Sequence, residues 1–336
     1  MEIIKLDKVL LESIREILQT RRTNAISYVN KEQLFANFEI GKLIVENEGT
    51  YKERYGTSYL LNLSKMLTKE FGRGFSRTNI HYMRAFYLNY EKSFQPVAEN
   101  SLSWKHYCEL LDVSDKNARD FYEKETINSK WSANELSRQI NSSLFERLLL
   151  ASNNDNKKEQ IYKLSQSGQV VKQAQDIIKE PYIFEFLGLS ERAQVKESKL
   201  EKLLIEKLKD FLLELGRGFM FVGNQQRITL GNRHHHVDLV FYNKIIKAYV
   251  LIDLKTGKFK HENIGQMNTY LNYYEAEIND DSDTKPIGII LCADKNEIEV
   301  EYAMVGVNSN IFASKYSLVL PDKELLAQKL ITAVKR

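Results

Sequence analysis

Residues 234–259 read HHHVDLVFYNKIIKAYVLIDLKTGKF and contain two apolar, strand-like segments separated by a short turn around 244–247. β-branched and aromatic residues dominate both segments, which is typical of the strands of a β-hairpin. Side chains alternate along a strand, so Asp253 and Lys255 are predicted to share one face. If the strands pair around the turn, Asp238 lies roughly opposite Asp253. Two carboxylates and an ammonium group would then meet at one end of a sheet.

Three interpretations of these charges stay open on residue type and spacing alone. Carboxylate oxygens suit Mg²⁺, which keeps several waters and is completed by phosphate oxygens, so the cluster fits phosphodiester hydrolysis. Charges at strand ends also form solvated surface ion pairs, worth well under ~1 kcal/mol. His234 and His236 share a face with Asp238, which makes a transition-metal site conceivable. No further imidazole or thiolate ligands follow at workable spacing, so a polar strand entrance is the favoured reading of the histidines.

The segments around the hairpin predict a small α/β domain with a mixed sheet. An amphipathic helix, ESKLEKLLIEKLKDFLLELG, precedes a first strand in FMFVGNQQRITLG. After the hairpin come a helix in GQMNTYLNYYEAEI and a strand in PIGIILCAD. The order of helix, three strands, helix and strand favours this architecture.

The N-terminal half, residues 1–150, has helical apolar spacing and is predicted to be all α. Within it, LLNLSKMLTKEFGRGFSRTNIHYMRAFY predicts a helix ending near Gly72, a tight turn, and a second helix capped by Ser76. This order resembles a helix-turn-helix unit, and a packing αα-hairpin fits it equally well. In the helix-turn-helix reading, the side chains that would face DNA are Arg77, Asn79, His81 and Arg84.

Length and composition predict two domains in a reducing compartment. The chain has 336 residues, more than one core usually organises, and a formal net charge of only +3. We expect a helical domain over 1–150, a linker and connecting helix over 151–180, and an α/β domain over 181–336. Two distant cysteines and the lack of a long apolar run predict a soluble, cytoplasmic protein with no membrane association.

The residues of the hairpin resemble a nuclease signature. Asp238 followed by Asp253-Leu254-Lys255 is similar to the PD-(D/E)XK motif, with Val237 where the family name has proline. The chain as a whole resembles the bacterial YhcG-like family, in which a helical N-terminal domain precedes such a nuclease domain. The resemblance implies a restriction-endonuclease-like fold and a DNA nuclease that uses Mg²⁺, with Mn²⁺ as a substitute.

The resemblance also implies roles for individual residues. Asp238 and Asp253 would hold the metal and Lys255 would be the catalytic lysine. Gln266 and Tyr270 match a Gln-x-x-x-Tyr motif that lies near the metal and the scissile phosphate. A glutamate of the first helix often joins such sites, and the candidates here are Glu201 and Glu214.

Two lysines just beyond the hairpin strand, Lys258 and Lys260, are candidates for contacts with the DNA backbone, and a solvated basic turn is the alternative. The leading prediction is a metal-dependent DNA endonuclease or exonuclease whose helical half binds DNA or a protein partner. The alternative is a DNA-binding or scaffolding protein in which this fold has weak or no activity. Self-association through the helical half is left open.

Overall fold

The computed structural model describes residues 8–55, 58–94, 102–151, 156–296, 300, 303 and 310–334. The chain divides into two compact units. The first runs to Arg119 and includes residues 130–136, and the second contains residues 120–129 and the chain from Ser137 onwards. Residues 152–155 of the predicted linker lie outside the described residues. The domain boundaries expected at residues 150 and 180 stay predictions.

The first unit is helical, as predicted. Its elements are α1 (Lys8–Tyr55), α2 (Tyr59–Phe71), a 3-10 turn (Arg73–Phe75), α3 (Arg77–Tyr90), α4 (Trp104–Leu111) and the first parts of α5 (Lys116–Ser129) and α6 (Ala133–Asn141). Aromatic rings build much of its core. The Phe86 ring meets the Trp104 ring edge-on at 5.3 Å and lies 5.0 Å from the Tyr107 ring. Contacts of this kind add to the stability gained from burying the rings.

The predicted helix, turn and capped helix are confirmed at residues 59–90. Gly72 follows α2 with a φ of +89°, a value that few other residues adopt without strain, and its N–H donates to the Thr68 carbonyl. Ser76 precedes α3, and its Oγ accepts a hydrogen bond from the Asn79 N–H at 3.2 Å. The cap satisfies one of the free N–H groups at the start of α3.

The second unit contains the predicted sheet with helices around it. Its further elements are α7 (Leu144–Ala151), α8 (Lys157–Ser167), 3-10 turns (Ala174–Ile177 and Glu185–Leu187), β1 (Tyr182–Ile183), α9 (Glu197–Glu206), α10 (Leu208–Leu215), β2 (Phe219–Leu230), β3 (Arg233–Asn243), β4 (Ala248–Lys258), α11 (His261–Tyr273) continued by a π-turn (Tyr274–Ile278), β5 (Ile287–Asp294), β6 (Ile311–Ser317) and α12 (Lys323–Val334). The expected single helix over 197–215 is interrupted at Lys207, whose backbone leaves the helical region (φ −108°, ψ 33°). Within the ranges that the structure describes, no helix is both long and apolar enough to cross a membrane.

The sheet is mixed, as predicted, with strand order β1-β6-β5-β4-β3-β2. β2, β3 and β4 form an antiparallel meander, whereas β4, β5, β6 and β1 pair in parallel. The central strand β4 is buried on both faces. Val250, Ile252 and Leu254 pack in the core that contains α9 and α10, and Leu251 packs in the core that contains α11. This alternation makes any other register costly, because a slip of one residue would exchange the two faces.

Candidate active site

The β3–β4 hairpin brings the two aspartates together. Its pairs run from Asn243 with Ala248 to Leu239 with Ile252, so the next residues along the two strands are Asp238 and Asp253. The Leu254 N–H donates to Asp238 Oδ2 at 2.8 Å. This main-chain bond fixes the Asp238 carboxylate against β4 beside Asp253.

Asp253 and Lys255 lie on one face of β4 and are in contact. Asp253 is 2% exposed, and its Oδ2 lies 2.9 Å from Lys255 Nζ. The Lys255 ammonium is therefore the charged partner of this buried carboxylate. Lys255 Nζ also lies 3.9 Å from Glu197 Oε2 at the start of α9. The lysine therefore sits between carboxylates from two elements.

Burial and mutual repulsion shift the acidity of these groups. Burial raises the pKa of Asp253 to about 6, Lys255 opposes that rise, and Asp238 adds to it. Burial also raises the pKa of Asp238, against the opposing effects of the Leu254 N–H and Lys255. Burial disfavours the Lys255 ammonium, but the carboxylates of Asp253, Glu197 and Asp238 together outweigh this effect, so the pKa of Lys255 is raised. Two neighbouring carboxylates with raised pKa values repel each other, and a cation bound between them would relieve that repulsion.

Glu201 reaches the same site from α9. Its side chain is buried, and its two oxygens accept hydrogen bonds from side-chain amides of β2, Asn224 Nδ2 at 2.9 Å and Gln225 Nε2 at 2.7 Å. The Gln225 Nε2 also donates to Asp238 Oδ1 at 3.1 Å. One amide nitrogen thus links the helix carboxylate to the hairpin carboxylate.

Glu214, the other candidate acid, lies in a different cluster. It is fully buried, and Arg147 Nη1 lies 2.5 Å from its Oε1 while Arg138 Nη2 lies 3.3 Å from its Oε2. Burial opposes ionisation, but the positive charges of Arg147, Lys179 and Arg138 together outweigh it and lower the pKa of Glu214 to about 2. Glu214 therefore belongs to a buried ion-pair cluster. Of the two candidate acids, Glu201 is the one that shares a hydrogen-bond donor with Asp238.

Gln266 and Tyr270 lie next to the carboxylates on α11. The Tyr270 hydroxyl donates to the His236 carbonyl at 3.1 Å and accepts from Gln266 Nε2 at 2.5 Å. Burial raises the pKa of Tyr270, and the charges of Asp253 and Asp238 contribute to the rise. Tyr270 is thus anchored to β3 two residues before Asp238, with Gln266 holding its hydroxyl.

His234 of β3 is surrounded by side chains that do not favour a metal ion. Arg227 Nη2 lies 3.0 Å from the His234 ring nitrogens, and Thr229 Oγ1 lies 3.2 Å from His234 Nδ1. The guanidinium would repel a cation at this position. Over the described part of the chain, no group of three or more His, Cys, Asp or Glu side chains already converges closely enough to hold a metal ion.

The basic candidates beyond β4 are exposed. Lys258 lies at the end of β4, paired with Asp294 of β5, and Lys260 directly precedes α11. Lys260 Nζ lies 3.5 Å from Glu262 Oε1, with both side chains largely exposed. Both lysines follow Lys255 closely along the chain, and their ammonium groups are accessible to a phosphate backbone.

The four basic or polar candidates of α3 differ in their surroundings. Asn79 accepts from Trp104 Nε1 at 2.7 Å, and Arg84 donates to Glu48 Oε2 of α1 at 2.7 and 2.9 Å. These two side chains therefore make contacts within the first unit. Arg77 and His81 are exposed on the same helix. The structure thus leaves Arg77 and His81 with the access that a DNA contact needs.

The carboxylate oxygens of the hairpin and of α9 are suitable ligands for a hard divalent cation. Asp238, Asp253 and Glu201 offer only oxygen atoms, the ligands that Mg²⁺ and Mn²⁺ take from proteins. Asp253 is buried and its pKa is raised, so a cation bound beside it would stabilise its ionised form. Mg²⁺ is usually held by one or two carboxylates and keeps several waters, so these residues suffice.

Two residues of this site, Asn224 and Gln225, were missed by sequence reasoning. In FMFVGNQQRITL they look like solvent-facing polar residues of an edge strand. The sequence feature that could have drawn attention to them is Gly223, because a glycine within a strand often marks a bulge. The β2–β3 register does shift between Phe221 and Gly223.

Comparisons with known proteins identify two family profiles and one similar sequence. The profile of the YhcG PDDEXK nuclease domain matches residues 175–331, and that of the DUF1016 N-terminal domain matches residues 13–147. The protein named "Putative nuclease YhcG" of Escherichia coli (strain K12) is 34% identical over 352 aligned positions, covering 95% of this chain and 92% of that protein. The similarity therefore extends over both units.

Two solved structures resemble part of the chain. One is described as a repair endonuclease from Pyrococcus abyssi; the match has 17% identity and a TM-score of 0.27, and covers 39% of this chain and 50% of that chain. The other is EndoMS in apo form, with 15% identity, a TM-score of 0.25 and coverage of 39% and 49%.

Proposed function

The chain belongs to the YhcG PDDEXK nuclease family, and we propose that it hydrolyses phosphodiester bonds in DNA with the help of a divalent metal ion. The observation that carries this proposal is the hairpin site, where Asp238, Asp253 and Lys255 meet just beyond the last β3–β4 pair and Asp253 is buried with a raised pKa. One lysine beside two neighbouring acids leaves negative charge that a bound cation would stabilise.

Asp238 and Asp253 are the proposed metal ligands, with Glu201 as the third acid. Mg²⁺ is the expected ion and Mn²⁺ the substitute, because both take oxygen ligands. When bound, the ion would supply positive charge at the phosphate and make a bound water more acidic. The Leu254 N–H holds Asp238 in place through its Oδ2, and the Asn224 amide does the same for Glu201.

Lys255 is proposed to act as a positive charge rather than as a base. Its pKa is raised by the neighbouring carboxylates, so the side chain carries its proton at neutral pH and cannot accept another. An ammonium group held beside Asp253 can orient a water through its N–H groups and stabilise the charge that develops on the phosphate. In this assignment the attacking water loses its proton to another group or to solvent.

The remaining candidates have supporting roles in the proposal. Tyr270, held by Gln266, positions the part of β3 that carries Asp238. Lys258 and Lys260 contact the DNA backbone near the site. In the helical unit, Arg77 and His81 are the exposed side chains of α3 proposed to bind DNA.

The test is a cleavage assay on single-stranded, duplex and branched DNA, with RNA as a parallel substrate, in Mg²⁺ or Mn²⁺. We expect Asp253→Asn and Lys255→Ala each to lower the rate by roughly 10²-fold or more, the usual cost of removing one group that stabilises a transition state. Matched controls are Asp294→Asn and Lys315→Ala, which alter an exposed ion pair in the same sheet and should leave the rate unchanged. Wild-type protein that cuts no substrate, or mutants that cut as well as wild type, would refute the proposal.

A further inference from the structure

The backbone of Gln225 is left-handed within an otherwise extended strand. Its φ is +48°, an uncommon value for a residue with a Cβ, while its neighbours Asn224 and Gln226 pair normally with Leu239 and Val237 of β3. Adjacent side chains of a regular strand point to opposite faces. Here the amides of Asn224 and Gln225 both reach the carboxylate of Glu201, because the left-handed residue turns its side chain to the same side.

The two amides hold Glu201 in different ways. Asn224 Nδ2 donates to Glu201 Oε1 alone. Gln225 Nε2 lies between two acids, 2.7 Å from Glu201 Oε2 and 3.1 Å from Asp238 Oδ1. An N–H donor between two carboxylate oxygens supplies them with the kind of partial positive charge that a cation would supply in full.

We propose that the Gln225 side chain is a placeholder for the metal ion, occupying the position between Glu201 and Asp238 until a divalent cation displaces it. The inference rests on the proposed function, since it requires that these acids bind a cation. Nε2 carries two hydrogens and cannot be a metal ligand, so it leaves this position when an ion takes its two oxygen partners. In the proposal the whole side chain turns away; a flip that presented Oε1 to the ion would instead make Gln225 a ligand, and Mn²⁺ would then bind more weakly to a Gln225 variant. The Gln225 side chain is exposed, which allows it to turn without disturbing the core.

Asn224 is the stationary partner in this arrangement. Its bond to Glu201 Oε1 leaves the other oxygen, Oε2, available once Gln225 has turned. The proposal therefore gives neighbouring amides opposite effects on metal affinity. Asn224 keeps Glu201 oriented for the ion, whereas Gln225 competes with the ion.

The test is calorimetric titration of Mn²⁺ into the full-length protein without DNA. Gln225→Met keeps the side-chain size and removes the donor, so we expect it to bind Mn²⁺ about two- to tenfold more tightly, the range for loss of a competing hydrogen bond. Asn224→Leu should bind Mn²⁺ more weakly than wild type. Gln226→Met, a change at the next position of β2, is the matched control and should leave the affinity unchanged.

A second readout separates displacement from general damage. In EDTA, Gln225→Met should melt at a lower temperature than wild type, because Glu201 and Asp238 lose their shared donor. In saturating Mn²⁺ the two proteins should melt at the same temperature. Equal or weaker Mn²⁺ binding by Gln225→Met would refute the placeholder and leave the proposed nuclease standing. Absence of Mn²⁺ binding by wild type would refute both the placeholder and the metal-dependent mechanism.

Discussion

Replacing Asp253 by asparagine should stabilise the protein at neutral pH while it strongly lowers the proposed activity. In the folded state, burial raises the pKa of Asp253 to about 6, from an ordinary value of 3.8. Because the folded pKa is the higher one, folding favours the protonated form. The resulting stability is present below about pH 4 and is lost as the pH rises through about 6.

The magnitude follows from the two pKa values. A difference of about two pH units corresponds to roughly 3 kcal/mol at pH 7.5, since each unit is worth about 1.4 kcal/mol. Asparagine has nearly the shape of the protonated acid and carries no charge. We therefore expect Asp253→Asn to raise the free energy of unfolding by about 2–3 kcal/mol at pH 7.5, and by only roughly 1 kcal/mol at pH 4.5. The attraction to Lys255 is already contained in the folded pKa.

Urea unfolding and thermal melts in EDTA at both pH values measure this effect. A gain of 2–3 kcal/mol corresponds to a rise in melting temperature of roughly 4–12 °C for a unit of this size. Asp294→Asn is the matched control, because Lys315 lowers the pKa of this exposed acid and its replacement should bring no gain. No increase in stability for Asp253→Asn at pH 7.5, or an equal increase at both pH values, would show that the buried carboxylate is not under electrostatic strain.

Three further predictions concern other parts of the chain. Glu214→Gln should lower the free energy of unfolding by about 3–5 kcal/mol, because it leaves Arg138 and Arg147 without their acidic partner. Glu201→Gln should change the free energy of unfolding by less than about 1 kcal/mol. Urea titrations of the two variants measure this difference. Arg77→Ala should weaken DNA binding and reduce the salt dependence of the affinity by about one released counterion. Arg84→Ala removes the ion pair with Glu48 and should mainly lower the melting temperature. Unchanged DNA binding by Arg77→Ala would contradict the proposal that α3 contacts DNA. Tyr270→Phe should lower kcat with little change in KM, since it loses the hydroxyl bond to β3, and a normal kcat would show that this anchor is dispensable.

The hairpin could be predicted from the sequence because its signals are local. The alternation along β4 and the spacing to the turn leave one register that keeps Val250 and Ile252 on the same buried face. That register brings Asp238 opposite Asp253. The proposed metal ligands on the hairpin could therefore be placed from residue spacing of period two, and the resemblance to a nuclease signature rested on the same residues.

Contacts between distant segments could not be predicted in this way. Glu201 and Glu214 both lie on one amphipathic segment, and only the fold shows that Glu214 meets Arg147, 67 residues away in sequence. Helical spacing placed Arg84 on a surface of α3 without showing that this surface packs against α1. Gly41 of α1 allows that approach, because a Cβ there would meet the Met83 carbonyl oxygen. The left-handed Gln225 is likewise decided by its tertiary partners and not by strand propensity.

The turn of the β3–β4 hairpin is a place where a label could be attached at a distance from the carboxylates. Its turn lies after Asn243, about five residues and so roughly 17 Å along the strand from Asp238. Lys244 is exposed there, while the buried Asn243 side chain holds the turn through the Arg217 carbonyl. A cysteine introduced at Lys244 could carry a fluorophore or a surface tether without reaching the carboxylates, which makes this turn a suitable handle for single-molecule work on the enzyme.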